Sequence, residues 1–279
     1  MKNFIIRTLT GIAIVTIQVL CTYLSAYSLV GLFILLTALA VNEFLGIMIQ
    51  KRGIKVNRPL IVVGSCYFYF AFWLNSLTNA SLLELFVPYL LLLISYYIKE
   101  LYNKEGDPII NLGVIMLSQL YIVLPLSLIN LLAFHKFNCF DEPIGYYILP
   151  LAMYIFLWFN DTGAYLCGSL LGKHKLFPRI SPKKSWEGSI GGAIIAMSSA
   201  VVIAHFFPIL STWQWVGMAL VVVTFGTYGD LTESMIKRNI NIKDSWSILP
   251  GHGGILDRLD SMFFAIPALV VYLHILSFW

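Results

Sequence analysis

Carboxylate, hydroxyl and ammonium groups share one face of a helix predicted around residue 230. Four polar side chains recur there at i, i+3, i+4 and i+7, namely Asp230, Glu233, Ser234 and Lys237. Residues at these spacings lie on the same side of an α-helix. The pattern therefore predicts a wholly polar helix face at the end of an otherwise apolar segment.

A second pair of acids follows the same spacing shortly before the last apolar segment. Asp257, Asp260 and Ser261 stand at i, i+3 and i+4, so a helix entering that segment would carry two carboxylates on one side. Hard divalent cations prefer oxygen ligands, and Mg²⁺ is commonly held by one or two carboxylates together with substrate phosphates. These acids therefore predict chemistry on phosphate groups assisted by a divalent cation.

The loop between these two helices is rich in glycine and contains one histidine. It carries Lys243 and Asp244, and then the run Leu249-Pro250-Gly251-His252-Gly253-Gly254. Glycines allow positive φ angles and close approach of the backbone to a ligand, and a glycine-rich turn that opens a helix can present N–H groups to phosphate. For this reason we expect His252 to border a ligand site.

A further cationic segment runs from Ser181 to Gly188. Ser181 and Pro182 have the residue types of an N-cap and a first helical position, which predicts a helix with Lys183 and Lys184 in its first turn. Cations oppose the dipole at a helix N-terminus. We therefore expect an anion, most simply a phosphate, beside these lysines.

Two more acids interrupt apolar segments, Asp161 in Asn160-Asp161-Thr162-Gly163 and Glu43 in Asn42-Glu43-Phe44. Acidic residues in membrane segments are costly and are therefore usually paired or functional. Asp161 is expected near the other acids. For Glu43 two interpretations stay open, a functional group or a buried, hydrogen-bonded carboxyl with no chemical part.

The composition indicates which elements must position these groups. The 279 residues are 59% apolar and 11% charged, whereas soluble domains carry roughly 25% charged residues. A disordered chain is also excluded, because disorder combines low hydrophobicity with high net charge. Since a membrane-spanning helix needs about 20 apolar residues, we predict an all-α polytopic integral membrane protein with about nine transmembrane helices, at residues 5–25, 28–49, 59–76, 82–98, 109–133, 144–170, 189–209, 213–231 and 261–278.

The placement of Lys and Arg predicts the orientation of the chain. With nine spans, seventeen of the eighteen fall on one side of the membrane and only Lys136 on the other. Because an excess of Lys and Arg marks cytoplasmic loops, we expect a cytoplasmic N-terminus and a polar cavity open to the cytoplasm and the bilayer. The first apolar segment is expected to be a retained helix, since it is long for a signal peptide.

Polar residues gather in the C-terminal half. We expect a single membrane domain over residues 1–279, with a helical scaffold at 1–158 and a catalytic half at 159–279. The cations are too few and too dispersed to follow a nucleic-acid backbone. The glycine spacing is compatible with self-association as a homodimer.

Residues 234–260 resemble the signature of the phosphatidate cytidylyltransferase family, also called CDP-diacylglycerol synthases. The segments 161–165 and 181–188 resemble two further family segments, so the likeness covers about residues 160–265. One departure is visible: the signature has a small residue two positions after Asp244, where this chain has Trp246. The departure concerns the shape of that loop and leaves the acids in place.

The resemblance implies a reaction in a bacterial cell membrane, in which CTP and phosphatidate give CDP-diacylglycerol and pyrophosphate with Mg²⁺ and a second cation such as K⁺. It implies that Asp230 and Asp257 hold the metal, and that Asp260 is either a third ligand or a residue that contacts the ligands. Lys237 and His252 complete the expected catalytic set. The residues expected to bind substrate are Asp161, Ser181, Lys183, Lys184, Ser234, Arg238, Lys243, Asp244, Gly253, Gly254 and Arg258.

Three other classes of protein agree less well with the sequence. A secondary transporter would use intramembrane acids as a relay, but it predicts an inverted repeat and polar groups near the bilayer midplane. A CDP-alcohol phosphatidyltransferase would carry a D-G-x-x-A-R motif, which this sequence lacks. A purely structural membrane protein would have no use for the acid cluster.

Overall fold

The computed structural model describes residues 2–78, 81–140, 144–243, 245 and 253–278. Nearly all regular structure in these ranges is helical, which confirms the predicted all-α fold class. The helices are α1 Lys2–Leu24, α2 Ala26–Arg52, α3 Arg58–Leu77, α4 Leu82–Tyr102, α5 Pro108–Ser118, a π-helical segment Gln119–Val123, α6 Leu124–Ser127, α7 Ile129–Phe134, α8 Ile148–Leu171, α9 Trp186–Phe206, α10 Thr212–Asn239, α11 Leu256–Leu259 and α12 Met262–Leu276; one hairpin pairs β1 Lys175–Phe177 with β2 Ser181–Ser185.

Each of the nine predicted spans coincides with helical structure. Within the described ranges, seven helical segments are long and apolar enough to cross a membrane, and Thr8–Leu24 forms a shorter apolar helix. α8 has the length of a span, but its polar segment 160–163 lowers its mean hydropathy. The chain is therefore a multi-pass membrane protein, while the count of nine and the cytoplasmic N-terminus stay predictions.

The chain forms two compact units. The first comprises Met1–Asn130 and Asp244–Arg258, and the second comprises Leu131–Lys243 and Leu259–Trp279. Asp257 therefore belongs to the first unit, whereas Asp230 and Asp260 belong to the second. The division of the chain at 158/159 stays a prediction.

The first unit is built around α2, whose side chains Leu29, Phe33 and Leu45 are fully buried. A buried polar network ties α3 and α4 to the π-helical segment. Gln119 Oε1 accepts a hydrogen bond of 2.9 Å from the Tyr89 hydroxyl, and Gln119 Nε2 donates to Ser65 Oγ at 3.0 Å. Because polar groups in an apolar interior are costly when unpaired, this network fixes how the three elements pack.

In the second unit, glycines allow α8 and α9 to pack closely. A Cβ atom on Gly192 would lie 2.6 Å from the backbone oxygen of Asn160, and one on Gly163 would lie 2.9 Å from the Cα of Gly192. These distances are too short for real contacts, so only glycine permits the observed helix separation. Gly163 and Gly192 therefore both contribute to the close packing of α8 and α9.

We expect Gly192→Ala to lower the free energy of unfolding by roughly 1–3 kcal/mol, the usual cost of overpacking. Gly31→Ala is the matched control, because nothing lies within 4 Å of a Cβ atom at that helical position; it should be neutral or slightly stabilising. Thermal unfolding in detergent, followed by tryptophan fluorescence, measures the difference. Equal melting temperatures for the two variants would contradict the close packing of α8 and α9.

Two local predictions are wrong. Ser181 begins a strand rather than a helix, because residues 181–185 pair with β1 in an antiparallel hairpin; α9 begins at Trp186, and its N-cap is Ser185, whose Oγ accepts from Gly188 N at 3.2 Å. The helix expected to enter the last span is also interrupted. α11 ends at Leu259 and α12 begins at Met262, so Asp260 lies in a turn.

Candidate functional site

The C-terminal end of α10 carries the polar face predicted from the sequence. α10 continues to Asn239, so residues 230–237 are helical as expected. Lys237 Nζ lies 2.7 Å from Glu233 Oε2, and the Ser234 hydroxyl donates to Asp230 Oδ1 at 3.3 Å. Glu233 is only 3% exposed, so solvent screens the attraction between these two charges less than it does in a surface pair.

The hairpin brings a lysine to the same helix. Lys184 on β2 forms an ion pair with Asp230. Both side chains are about 30% exposed, which places the pair at an accessible edge rather than in the core. The structure thus joins Lys184 and Asp230, which the sequence indicated only as separate candidates.

Glu187 holds the hairpin in place. Its carboxylate accepts hydrogen bonds of 3.2 Å from the backbone N–H groups of Lys173 and His174, and it lies 2.6 Å from His174 Nδ1. Trp186 N donates to the His174 carbonyl at 2.9 Å. These contacts tie the chain before β1 to the start of α9 and so fix where β2 presents Lys184. Sequence reasoning missed the role of Glu187, because its partners Lys173 and His174 lie 14 and 13 residues earlier in the chain.

A cavity of about 340 Å³ opens beside the Lys184–Asp230 pair. Its wall combines acidic, cationic and amide side chains from α8, β2 and α10. Its charged and amide lining residues are Asn160, Asp161, Lys183, Lys184 and Asp230. The cavity therefore gathers four residues that the sequence singled out, Asp161, Lys183, Lys184 and Asp230, around one space.

Asp260 adds a fourth acid to this end of the second unit. Gly229 lets the turn approach α10, since a Cβ atom there would lie 2.5 Å from the Asp260 backbone oxygen. Asp230, Glu233 and Asp161 lie within electrostatic range of Asp260. Lys184 pairs with Asp230 and Lys237 pairs with Glu233, so acidic and cationic side chains alternate at this end of the unit.

In the first unit, Asp257 is held by hydrogen bonds to its carboxylate. Gly254 N donates to Asp257 Oδ2 at 2.9 Å, and Ser245 donates through its backbone N at 3.1 Å and its hydroxyl at 3.0 Å. Gly253 has a φ of 83°, the left-handed conformation that glycine adopts readily. This confirms the conformational role predicted for a glycine of this loop.

Glu43 anchors the same segment from α2. The side chain is 1% exposed, and its carboxylate accepts from Ile255 N at 2.8 Å and from Leu256 N at 3.4 Å. Gly254 packs directly against Glu43 Oε1, where any Cβ atom would collide. Of the two open interpretations, the structure shows a buried, hydrogen-bonded carboxyl, and it caps the start of α11 beside Asp257.

The remaining candidates are more scattered. Arg238 Nη1 donates to the Ile242 carbonyl at 3.0 Å, while Lys243 and Arg258 are exposed. Ser181 opens β2 outside the cavity wall. Asp244, Trp246 and His252 lie outside the described residues. Within the described residues no three His, Cys, Asp or Glu side chains form a group that could hold a metal, so the ligand set Asp230, Asp257 and Asp260 stays a prediction.

Comparison with known proteins identifies the family. The model of the cytidylyltransferase family matches residues 5–276 of the chain. The chain belongs to this family. The match covers the N-terminal helices as well as residues 160–265, so it extends the resemblance identified from the sequence to nearly the whole chain.

Cytidylyltransferases of known name also match the chain. A Staphylococcus aureus (strain COL) protein named phosphatidate cytidylyltransferase is 46% identical over 121 residues, which cover 43% of this chain and 46% of that protein. A protein of the same name from Staphylococcus haemolyticus (strain JCSC1435) is 48% identical over 124 residues, 43% of this chain and 48% of that protein. The alignments thus span about half the length of these relatives. Their bacterial origin agrees with the predicted location in a bacterial cell membrane.

Proposed function

We propose that this cytidylyltransferase transfers the cytidylyl group of CTP to phosphatidate and releases pyrophosphate, giving CDP-diacylglycerol for phospholipid biosynthesis. The observation that carries the proposal is the cavity at the end of α10, where Lys184 pairs with Asp230 beside Asp161 and Lys183. A cavity with cations and acids at the end of membrane helices suits a reaction between a water-soluble triphosphate and a lipid phosphate. The names of the Staphylococcus relatives support the same reaction.

In the proposed reaction, an oxygen of the lipid phosphate attacks the α-phosphorus of CTP in line with the leaving group. A new P–O bond to the lipid forms as the bond between the α-phosphorus and the bridging oxygen breaks, and the electron pair leaves with pyrophosphate. The lipid phosphate is already an anion near neutral pH, so no strong general base is required. Catalysis then rests on positioning and on the stabilisation of charge.

The lysines of the second unit would reduce the repulsion between the two polyanions. Lys184 and Lys183 line the cavity, and Lys237 lies one turn beyond Glu233 on α10. Lysine serves well as a compact cation beside phosphate groups. Arg238 and Lys243 lie at the same end of α10 and would add two further cations on its solvent side.

The acids of this cluster fit the Mg²⁺ ion that the family resemblance implies. Asp230 and Asp260 provide hard oxygen ligands, and Mg²⁺ needs only one or two carboxylates when phosphates and water complete its shell. When bound, the ion would neutralise charge on the triphosphate. Asp257 stays a predicted ligand, and a second cation such as K⁺ stays a prediction without assigned residues.

The proposal is tested by incubating the purified protein with CTP labelled at the α-phosphate, phosphatidate and Mg²⁺. We expect label to enter the organic phase as CDP-diacylglycerol, and an equal amount of pyrophosphate to form. Reactions without phosphatidate, or with diacylglycerol in its place, are the controls. A folded, monodisperse protein that leaves all label in the aqueous phase would contradict the proposed activity.

Lys184→Ala is expected to lower kcat/KM for CTP by about 10–100-fold, because a hydrogen bond to a charged group contributes roughly 1.5–3 kcal/mol. Lys175→Ala is the matched control, since Lys175 is an exposed lysine of the same hairpin that lies outside the cavity wall. Lys184→Arg should recover part of the loss. Steady-state kinetics with varied CTP measures all three, and a Lys184→Ala variant within twofold of the parent enzyme would exclude Lys184 from substrate binding.

A further inference from the structure

The first unit contains a second, larger cavity that the cytidylyl transfer does not use. It measures about 480 Å³ and lies beside the ends of α2 and α4 and the start of α3, and Ile115 of α5 completes its wall. All four elements belong to segments that are long and apolar enough to span a membrane. The cavity therefore sits at the level where membrane helices reach the polar boundary of the bilayer.

The lining of this cavity is divided into an apolar and a polar part. Isoleucine side chains form the apolar part, and two of them, Ile54 and Ile61, are 3% and 1% exposed. Lys55 and Lys99 supply cations from two different elements. This division matches an amphiphile whose head is anionic and whose adjoining part is hydrocarbon.

A fixed polar network shapes the cavity. Lys55 N donates to Asn111 Oδ1 at 3.1 Å, and Asn111 Nδ2 donates to Glu100 Oε1 at 2.6 Å. Asn103 Nδ2 donates to the Lys55 carbonyl at 3.3 Å and to Glu100 Oε1 at 3.1 Å. Asn111 is 1% exposed, so these contacts fix the loop before α3 against α4 and α5. Amide donors thereby hold the Glu100 carboxylate in a fixed position on the side of the cavity that faces α5.

The two lysines remain available to a ligand. Lys99 is exposed and makes no ion pair with any described residue. Lys55 lies 3.3 Å from Glu105, but both side chains are more than half exposed, and such surface pairs contribute only about 0–1 kcal/mol. An anionic phosphate can therefore displace Glu105 at little cost.

We propose that this cavity binds a phospholipid with an anionic headgroup, separately from the catalytic cavity of the second unit. The headgroup phosphate lies between Lys55 and Lys99, and the start of an acyl chain packs on the isoleucines. A lysine near an anionic lipid surface contributes roughly a fivefold gain in affinity. Binding at this site needs neither CTP nor the acid cluster.

The full chain tests the proposal in detergent micelles that contain phosphatidylglycerol and phosphatidylcholine in equal amounts. Native mass spectrometry measures the fraction of protein that retains one phosphatidylglycerol molecule. We expect preferential retention of phosphatidylglycerol, and a loss of about 25-fold in its affinity for the Lys55→Ala, Lys99→Ala double variant. Glycerol phosphate without acyl chains should compete weakly, because it lacks the part that packs on the isoleucines.

Lys51→Ala, Lys104→Ala is the matched control, since both lysines are exposed in the neighbouring segments and neither lines the cavity. It should retain phosphatidylglycerol like the parent chain, and so should Asp230→Asn, whose change lies in the second unit. Equal losses in the two lysine pairs would show a general surface attraction and overturn the site. Retention unchanged in the Lys55→Ala, Lys99→Ala variant would overturn it as well.

Discussion

Replacing Asp230 with Asn should lower kcat for CDP-diacylglycerol formation by about 10²–10³-fold, the size of effect that follows removal of one preorganised electrostatic group from an active site. Asp230 lines the cavity of the second unit and pairs with Lys184. The amide removes a negative charge that would hold the divalent cation and orient Lys184. Rates at saturating CTP and phosphatidate, over a series of Mg²⁺ concentrations, measure the change.

Asp107→Asn is the matched control for this substitution. Asp107 is the exposed N-cap of α5, where its Oδ1 accepts from Ile109 N at 2.8 Å, and asparagine caps helices about as well as aspartate. This variant should keep full activity. Asp257→Asn should abolish the product if Asp257 is a ligand as predicted. An Asp230→Asn enzyme that works within tenfold of the parent at ordinary Mg²⁺ concentrations would remove Asp230 from the reaction.

Glu43→Ala is expected to have the largest effect on the stability of the first unit. The substitution leaves the buried backbone N–H groups of Ile255 and Leu256 without their acceptor. Each unsatisfied group lowers the free energy of unfolding by about 1–3 kcal/mol. Because Asp257 lies on the same segment, we expect kcat to fall as well. Glu43→Gln keeps one carbonyl oxygen as an acceptor and should show about half of the loss in stability.

Hydrogen exchange measured by mass spectrometry tests this role directly. In Glu43→Ala the amides of residues 253–258 should exchange faster, while those of α3 remain protected. Glu84→Gln, a change at an exposed glutamate of α4, controls for the loss of a charge. If residues 253–258 exchange equally in Glu43→Ala and the parent chain, the hydrogen bonds of Glu43 do not hold this segment.

Local patterns were sufficient to predict the helices and the polar face of α10. Membrane helices are apolar over their whole length, so their positions follow from residue types alone. The spacing of Asp230 and Lys237 on one face follows from the helical period, which needs no tertiary contact. The positive φ of Gly253, 83°, was also predictable, because glycine adopts such angles readily whatever its tertiary contacts.

Contacts between distant segments could not be predicted from the sequence. Glu43 and Ile255 are 212 residues apart in the chain, and no local pattern indicates that they meet. Ser181-Pro182 has the residue types of a helix start, but pairing with β1 outweighs this preference and moves the cap to Ser185. The break before α12 carries no Gly or Pro. It occurs where the backbone of Asp260 approaches Gly229 on α10, which is a tertiary effect.

Binding of Mn²⁺, a paramagnetic substitute for Mg²⁺, tests the central claim that aspartates at the end of α10 hold a divalent cation. Electron paramagnetic resonance measures the affinity in the presence of CTP. The Asp230→Asn, Asp260→Asn double variant should bind Mn²⁺ more weakly than the parent chain and Asp107→Asn, by about 100-fold. Loss of a residue that only hydrogen-bonds to a metal ligand already lowers metal affinity by about 10–100-fold. Unchanged Mn²⁺ affinity in a folded double variant would contradict the claim.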